Sequence, residues 1–207
     1  MIEKLTDKII KYGKIAGKRG LTPGYSGNIS AKYLDKILIT STGAANGFLD
    51  EEDISIIDFS GNQIGGYKKP SSEKMLHIEF YKKRPDIGAI LHFHCPYLSA
   101  FAASGIEPDK NVMAEVVYAF CEIPIAEYAL PGSIELVTNT SKFFDKYDVV
   151  IMKNHGVIAG GRDLKDAFLK LESCEAYAKT LLCAKLLGGA KMLPDVEVEK
   201  IYGLRNK

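Results

Sequence analysis

His92 and His94 stand one residue apart in AILHFHCP, directly after an apolar run, and they are two of only four histidines in the chain. Positions two apart in an extended strand share a face, so both imidazoles point the same way. Side by side they would repel if both were protonated, and each carries ring nitrogens that need partners. Such a pair is either two structural histidines with satisfied hydrogen bonds or half of a metal site. His155 lies in VVIMKNHGVIAGG, after another apolar stretch and before Gly156, where a loop can turn out of a sheet into a pocket. By itself it reads as structural. Three imidazoles at the ends of apolar strands, with one coordination position open, describe a catalytic zinc site.

A carboxylate could complete or modulate such a site, and KPSSE offers Glu73 at a helix start. An acid in a first helical turn also complements the helix dipole, and the two roles are compatible. His77 follows Glu73 by four residues on the same helical face; that spacing is ordinary, and His77 is not counted as a ligand. Cys95 falls on the opposite strand face from His94, a packing position. Three further stretches could hold an anion. GYSGNIS places Gly27 and Asn28 before a strand, TSTGAANG places Thr42 and Gly43 after one, and PSSE places Ser71 and Ser72 at a helix N-terminus, where free amides favour phosphate. Each alone is a turn or a cap. Beside a metal they suggest a small phosphorylated substrate held by hydroxyls and amides.

These groups need rigid elements behind them. The first segment has helical apolar spacing and stops near Gly20. NISAKY and KILIT read as strands joined at Leu34-Asp35, and ISIIDFSGNQIGGY as a hairpin about Gly61-Asn62. PSSEKMLHIEFYKKRP carries helix start and stop signals, IGAILHFH is a buried strand, and CPYLSAFAAS is a short helix ending at Gly105. CEIPIAEY and DVVIMKN are strand candidates around an amphipathic helix over 133–146. A turn at Gly160-Gly161 is expected to lead into a last long helix. No repeat or linker interrupts the pattern. One α/β domain over 1–207, with a mixed or antiparallel sheet and flanking helices, fits best. Residues 190–207 combine a proline, much charge and few apolar anchors, which predicts a mobile C-terminal tail.

At 207 residues and 46% hydrophobic content the chain suffices for one sizeable core, and a net charge of +1 gives no electrostatic case for nucleic acid. No segment approaches the about 20 apolar residues needed to span a bilayer, and the charged N-terminal segment does not read as a secretory signal. Four cysteines without a C-x-x-C pair read as reduced thiols of a cytoplasmic protein.

Taken together, G-N-I-S, S-T-G, K-P-S-S-E, H-F-H and N-H-G occur in the order and at the separations of the class II aldolase/adducin family, which the chain resembles over essentially its whole length. The tail YGLR, beginning at Tyr202, resembles the C-terminal tyrosine segment of that family's sugar-phosphate aldolases. The resemblance implies a three-layer α/β/α fold with a mixed, mainly antiparallel central sheet. It implies one zinc per subunit held by His92, His94 and His155, with Glu73 as fourth ligand. Phosphate would be held by Gly27, Asn28, Thr42, Gly43, Ser71 and Ser72. A cyclic homotetramer with active sites at subunit boundaries is implied as well.

The family's aldolases and methylthioribulose-phosphate dehydratases carry Glu where Glu73 stands, its pentulose-phosphate 4-epimerases carry Asp, and adducin-type members have lost metal ligands. The resemblance therefore implies an aldolase that reversibly cleaves L-fuculose 1-phosphate or a related ketose 1-phosphate into dihydroxyacetone phosphate and a small aldehyde such as L-lactaldehyde. A methylthioribulose-1-phosphate dehydratase stands as the alternative, ahead of a 4-epimerase or a non-catalytic module. Besides Glu73 as acid/base, a tyrosine would handle the proton on the aldehyde side. Tyr118 is the one tyrosine in NVMAEVVYAFCEIPI, where a neighbouring subunit's catalytic tyrosine is expected, although packing explains it equally. Tyr202 is the other candidate.

Overall fold

Leu34, held in the left-handed region at φ 54°, closes the hairpin between β1 (Asn28–Tyr33) and β2 (Lys36–Thr40). A computed structural model describes residues 1–205. β3 (Ile54–Asp58) and β4 (Gln63–Gly65) extend the hairpin outward, turning near Gly61 at φ 86°, where a glycine is needed. On its other side β1 pairs antiparallel with β5 (Ala89–Phe93), which pairs antiparallel with β8 (Gly156–Gly161). Next come β7 (Val149–Met152), antiparallel to β8, and the short β6 (Ile125–Ala126), parallel to β7. The sheet order β4-β3-β2-β1-β5-β8-β7-β6 is thus mixed and mainly antiparallel, as expected.

Helices cover both faces, because the central strands bury both sets of alternating side chains. On one face α1 (Ile2–Lys18), α3 (Pro96–Ser104) and α6 (Leu164–Leu186) pack Ile9, Leu98 and Leu171 against Ile29, Leu91 and Val157. On the other, α2 (Lys74–Lys83) and α5 (Ile134–Ser141) pack Leu76, Phe80 and Leu136 against Ile39, Ile90 and Ile158. Period-two alternation along β5 therefore sends Leu91 toward α1 and α6, and Ile90 with His92 toward α2. Leu91 is fully buried, and truncating such a side chain to alanine costs about 2–5 kcal/mol.

Two expectations need correction. Gly160 and Gly161 do not form a turn; they end β8, which pairs with β5 through Ala89↔Gly161 and Ile90↔Gly160. A β-carbon at Gly160 would come within 2.4 Å of Ile87 Cδ1, and one at Gly161 within 2.2 Å of Ala167 N on α6, so close approach rather than turning demands these glycines. The helix expected over 133–146 is regular only as Ile134–Ser141, its start capped by the Ser133 hydroxyl accepting from Leu136 N. NVMAEVVYAFCEIPI contains a helix, α4 (Ala114–Phe120), that periodicity did not signal. Within the 190–207 segment, Asp195–Arg205 forms α7, which packs on α4 and buries Val198; residues 206 and 207 lie outside the described residues.

Candidate active site

β5 carries His92 as its penultimate residue, and the chain leaves the strand at His94. His155 arrives from the β7–β8 connection, where Asn154 adopts φ 54°. The three rings converge, with centroids 5.1 Å apart for His92–His94, 4.7 Å for His92–His155 and 5.1 Å for His94–His155. One nitrogen from each lies within 4.8 Å of the others. Behind them Glu175 of α6 accepts from Tyr97 N and Leu98 N, capping α3 at the turn that follows His94. Cys95 is buried, its thiol donating to the Leu21 carbonyl, which is the packing role expected of it.

Glu73 stands at the N-cap of α2 and is buried against the histidines. Its Oε2 accepts from Asn28 Nδ2 at 2.9 Å and lies 3.1 Å from His92 Nε2, while its Oε1 lies 3.3 Å from His155 Nε2. His92 Nδ1 donates to the Val157 carbonyl at 3.0 Å, so whenever the ring is neutral its lone pair is on Nε2. Yet His92 Nε2, His94 Nε2 and Glu73 Oε1 are buried without a hydrogen-bond partner of proper geometry. Buried polar atoms in native proteins are ordinarily satisfied, and a divalent cation would satisfy all three at once.

Electrostatics point the same way. Burial alone would raise the Glu73 carboxyl, but His92, His155 and the Asn28 amide outweigh it and hold the group well below the usual carboxylate range. Burial and the charge of His92 pull His94 and His155 down to about 4, so both are neutral at neutral pH, the form in which an imidazole can bind a cation. Burial would also lower His92, but Glu73 overcomes it and raises it. Three imidazoles and one carboxylate are a donor set that suits zinc.

The stretches expected to hold an anion gather beside this cluster. Gly27, at φ 77°, precedes Asn28, which pairs with His92; a β-carbon at Gly27 would strike the His92 carbonyl oxygen at 2.2 Å. The Ser41–Pro70 bridge, with Thr42 N donating to Lys69 O and Ser71 N to Thr40 O, draws the Thr42-Gly43 loop against Ser71-Ser72. Ser71 is buried, its hydroxyl oxygen accepting from Glu73 N, whereas Thr42, Gly43 and Ser72 are exposed. The Asn28 side chain is turned to Glu73 and to His77.

Tyr118 is half-exposed on α4, and Tyr202 on α7 lines a cavity of about 710 Å³ with Lys110, Asn111, Cys121, Glu122 and Lys146. Neither Glu73 nor any of the three histidines lines that cavity. Sequence reasoning passed over His77, which is fully buried and makes two hydrogen bonds beside Glu73. Its signal was Glu73, His77 and Tyr81 at four-residue intervals, one face of one helix.

The family described as the class II aldolase and adducin N-terminal domain matches residues 7–182. An L-fuculose phosphate aldolase of Methanocaldococcus jannaschii is 42% identical over 159 residues, covering 77% of this chain and 85% of its own length. A 5-deoxy-D-ribulose 1-phosphate aldolase of Bacillus thuringiensis is 32% identical over 204 residues, 97% of this chain and 95% of its own. A 3-oxo-tetronate 4-phosphate decarboxylase of Haemophilus influenzae is 32% identical over 200 residues, 93% of each chain. Among solved structures, an L-fuculose 1-phosphate aldolase superposes with a TM-score of 0.90 at 32% identity, covering 99% of this chain and 97% of its own. With the family pattern running over residues 7–182 and the fold shared along nearly its whole length, this chain belongs to the class II aldolase and adducin family.

Proposed function

We propose that the protein is a zinc-dependent aldolase that reversibly cleaves a ketose 1-phosphate into dihydroxyacetone phosphate and a small aldehyde. The observation that carries this reading is the convergence of His92, His94, His155 and Glu73 with ligand atoms left without partners. His92, His94 and His155 would hold the ion together with Glu73, and bound zinc supplies Lewis acidity toward the ketose carbonyl and an adjacent hydroxyl.

The chain's own groups handle positions and protons. Gly27, Thr42, Gly43, Ser71 and Ser72 present amides and hydroxyls to the phosphate; Asn28 contributes through its main chain, since its amide already serves Glu73. Cleavage breaks the C3–C4 bond: the C4 hydroxyl loses its proton to become the aldehyde, and C3 gains one to become dihydroxyacetone phosphate. Glu73, ionised at rest, takes the C3 proton in the condensation direction and returns it in cleavage. A tyrosine hydroxyl serves the C4 oxygen. Tyr202 lines a cavity that neither the histidines nor Glu73 borders, and we take Tyr202 or Tyr118 of a neighbouring subunit of a homotetramer to deliver that group across the interface. The four cysteines, none of them in a disulfide among the described residues, support a reducing, cytoplasmic setting, and no helix among the described residues is long and apolar enough to cross a membrane.

Between the fuculose and deoxyribulose phosphates, similarity to both kinds of aldolase supports the shared ketose 1-phosphate and leaves the aldehyde to be measured. Purified protein offered dihydroxyacetone phosphate with lactaldehyde, acetaldehyde or glycolaldehyde should consume one of them in a zinc-dependent condensation. Release of water from methylthioribulose 1-phosphate, or of carbon dioxide from a 3-oxo acid phosphate, in place of condensation would replace this reading with a dehydratase or a decarboxylase.

A further inference from the structure

Behind Glu73 runs an unbroken line of buried polar groups that none of the proposed steps uses. Tyr81 OH lies 2.8 Å from Ser30 Oγ, which lies 2.7 Å from His77 Nδ1. On the far side of that ring His77 Nε2 lies 2.5 Å from Asn28 Oδ1, and Asn28 Nδ2 lies 2.9 Å from Glu73 Oε2. All five residues are buried. The line exists because two periodicities meet. Glu73, His77 and Tyr81 recur every fourth residue along α2, while Asn28 and Ser30 alternate along β1 opposite His92 and Ile90.

Chemistry assigns every hydrogen in it. An ionised carboxylate only accepts, so Asn28 must turn its NH2 toward Glu73 and its carbonyl oxygen toward His77. That oxygen only accepts, so the proton of neutral His77 sits on Nε2. Nδ1 is then bare and takes the Ser30 hydroxyl proton, which leaves the Ser30 oxygen to receive the Tyr81 O–H. Each donor faces Glu73, and hydrogen bonds aligned in one direction polarise one another.

We infer that His77 and Asn28 are positioning residues that engage Oε2 of Glu73 permanently and so reserve Oε1 for the work of the site. Oε1 is the oxygen without a hydrogen-bond partner, 3.3 Å from His155 Nε2. Without His77, Asn28 would carry an orphaned carbonyl and be free to rotate, and the carboxylate would lose the group that distinguishes its two oxygens. Ser30 and Tyr81 act one step further back by holding the His77 tautomer. The inference rests on the proposed metal-site reading for what Oε1 does, but not for the geometry of the line.

The test has a spectroscopic arm, a metal arm and a kinetic arm. Nitrogen-15 shifts of the His77 ring should show a protonated Nε2 and a bare Nδ1; the opposite tautomer overturns the inference. In competition with a chromophoric chelator, His77→Phe should bind zinc at least tenfold more weakly, as outer-shell partners of metal ligands typically matter. Its kcat should fall at least tenfold with KM within twofold, and His77→Gln, which restores a donor near the Nε2 position, should recover most of both losses. Zinc affinity of His77→Phe within twofold of the parent overturns it, and so do equal losses in both variants that merely follow their melting temperatures. If His77→Phe does not fold, Ser30→Ala, which strips Nδ1 of its donor, carries the same expectations in milder form. Should the parent cleave no ketose phosphate at all, the aldolase reading fails while the spectroscopic and zinc arms still decide the role of His77.

Discussion

Gly156 gives His94 the space it occupies: a β-carbon at Gly156 would lie 2.7 Å from His94 Cδ2, 2.7 Å from the Phe93 carbonyl oxygen and 3.2 Å from His92 Cε1. The ring and the main chain cannot both yield, because the carbonyl belongs to β5 and the ring to the histidine cluster. Gly156→Ala should therefore spread the histidines, weaken zinc binding at least tenfold, and cost about 1–3 kcal/mol of stability by overpacking. Chelator competition and urea denaturation check both parts; parental zinc affinity would show that the cluster tolerates the methyl group.

Glu73→Gln keeps the size of the side chain but removes its charge and its capacity to exchange a proton. Turnover should fall roughly 100- to 10,000-fold, the usual contribution of a positioned acid/base, while the loops proposed to hold phosphate still take inorganic phosphate with parental affinity. Unchanged turnover would remove Glu73 from the proton steps.

Burial first, and the charge of His92 second, pull the His77 pKa down to about 3 from its ordinary 6.5. Unfolded, the ring takes a proton near 6.5; folded, it resists until about pH 3. Its contribution to stability is thus complete above pH 6.5 and is lost as pH falls toward 3, by at most about 1.4 kcal/mol per pH unit. Urea midpoints of metal-free protein should fall with acidification over this window, and His77→Gln should show a shallower fall. Equal slopes in parent and variant would mean that the ring titrates alike in both states.

Val198, buried where α7 meets α4, lies before the segment that carries Tyr202. Removing residues 200–207 should leave zinc content and melting temperature nearly unchanged and lower cleavage at least several-fold, as expected of a segment that closes over bound substrate. Tyr202→Phe should reproduce much of that loss if the hydroxyl handles a proton. Full activity in the truncated protein would assign Tyr202 to packing alone.

The convergence of His92, His94 and His155 was legible because strand alternation and a strand-end position are local properties of sequence. The sheet's two-faced burial was legible for the same reason. β8 was not, because Gly156, Gly160 and Gly161 carry the composition of a turn, and only the tertiary approach of His94, Ile87 and Ala167 explains them. α4 was missed because its seven residues are too few to display a helical period. His77 was visible as a spacing but not as a function, since its meaning depends on Asn28 and Ser30 from a strand more than forty residues away.

Calorimetric titration of zinc into metal-free protein, run in parallel on the parent and on His92→Ala, tests the metal site directly. The parent should bind one zinc per chain, and His92→Ala, still folded by circular dichroism, should show that binding largely abolished. An unaltered stoichiometry and affinity in His92→Ala would contradict the assignment of these histidines to a metal site, and with it the aldolase chemistry built upon them.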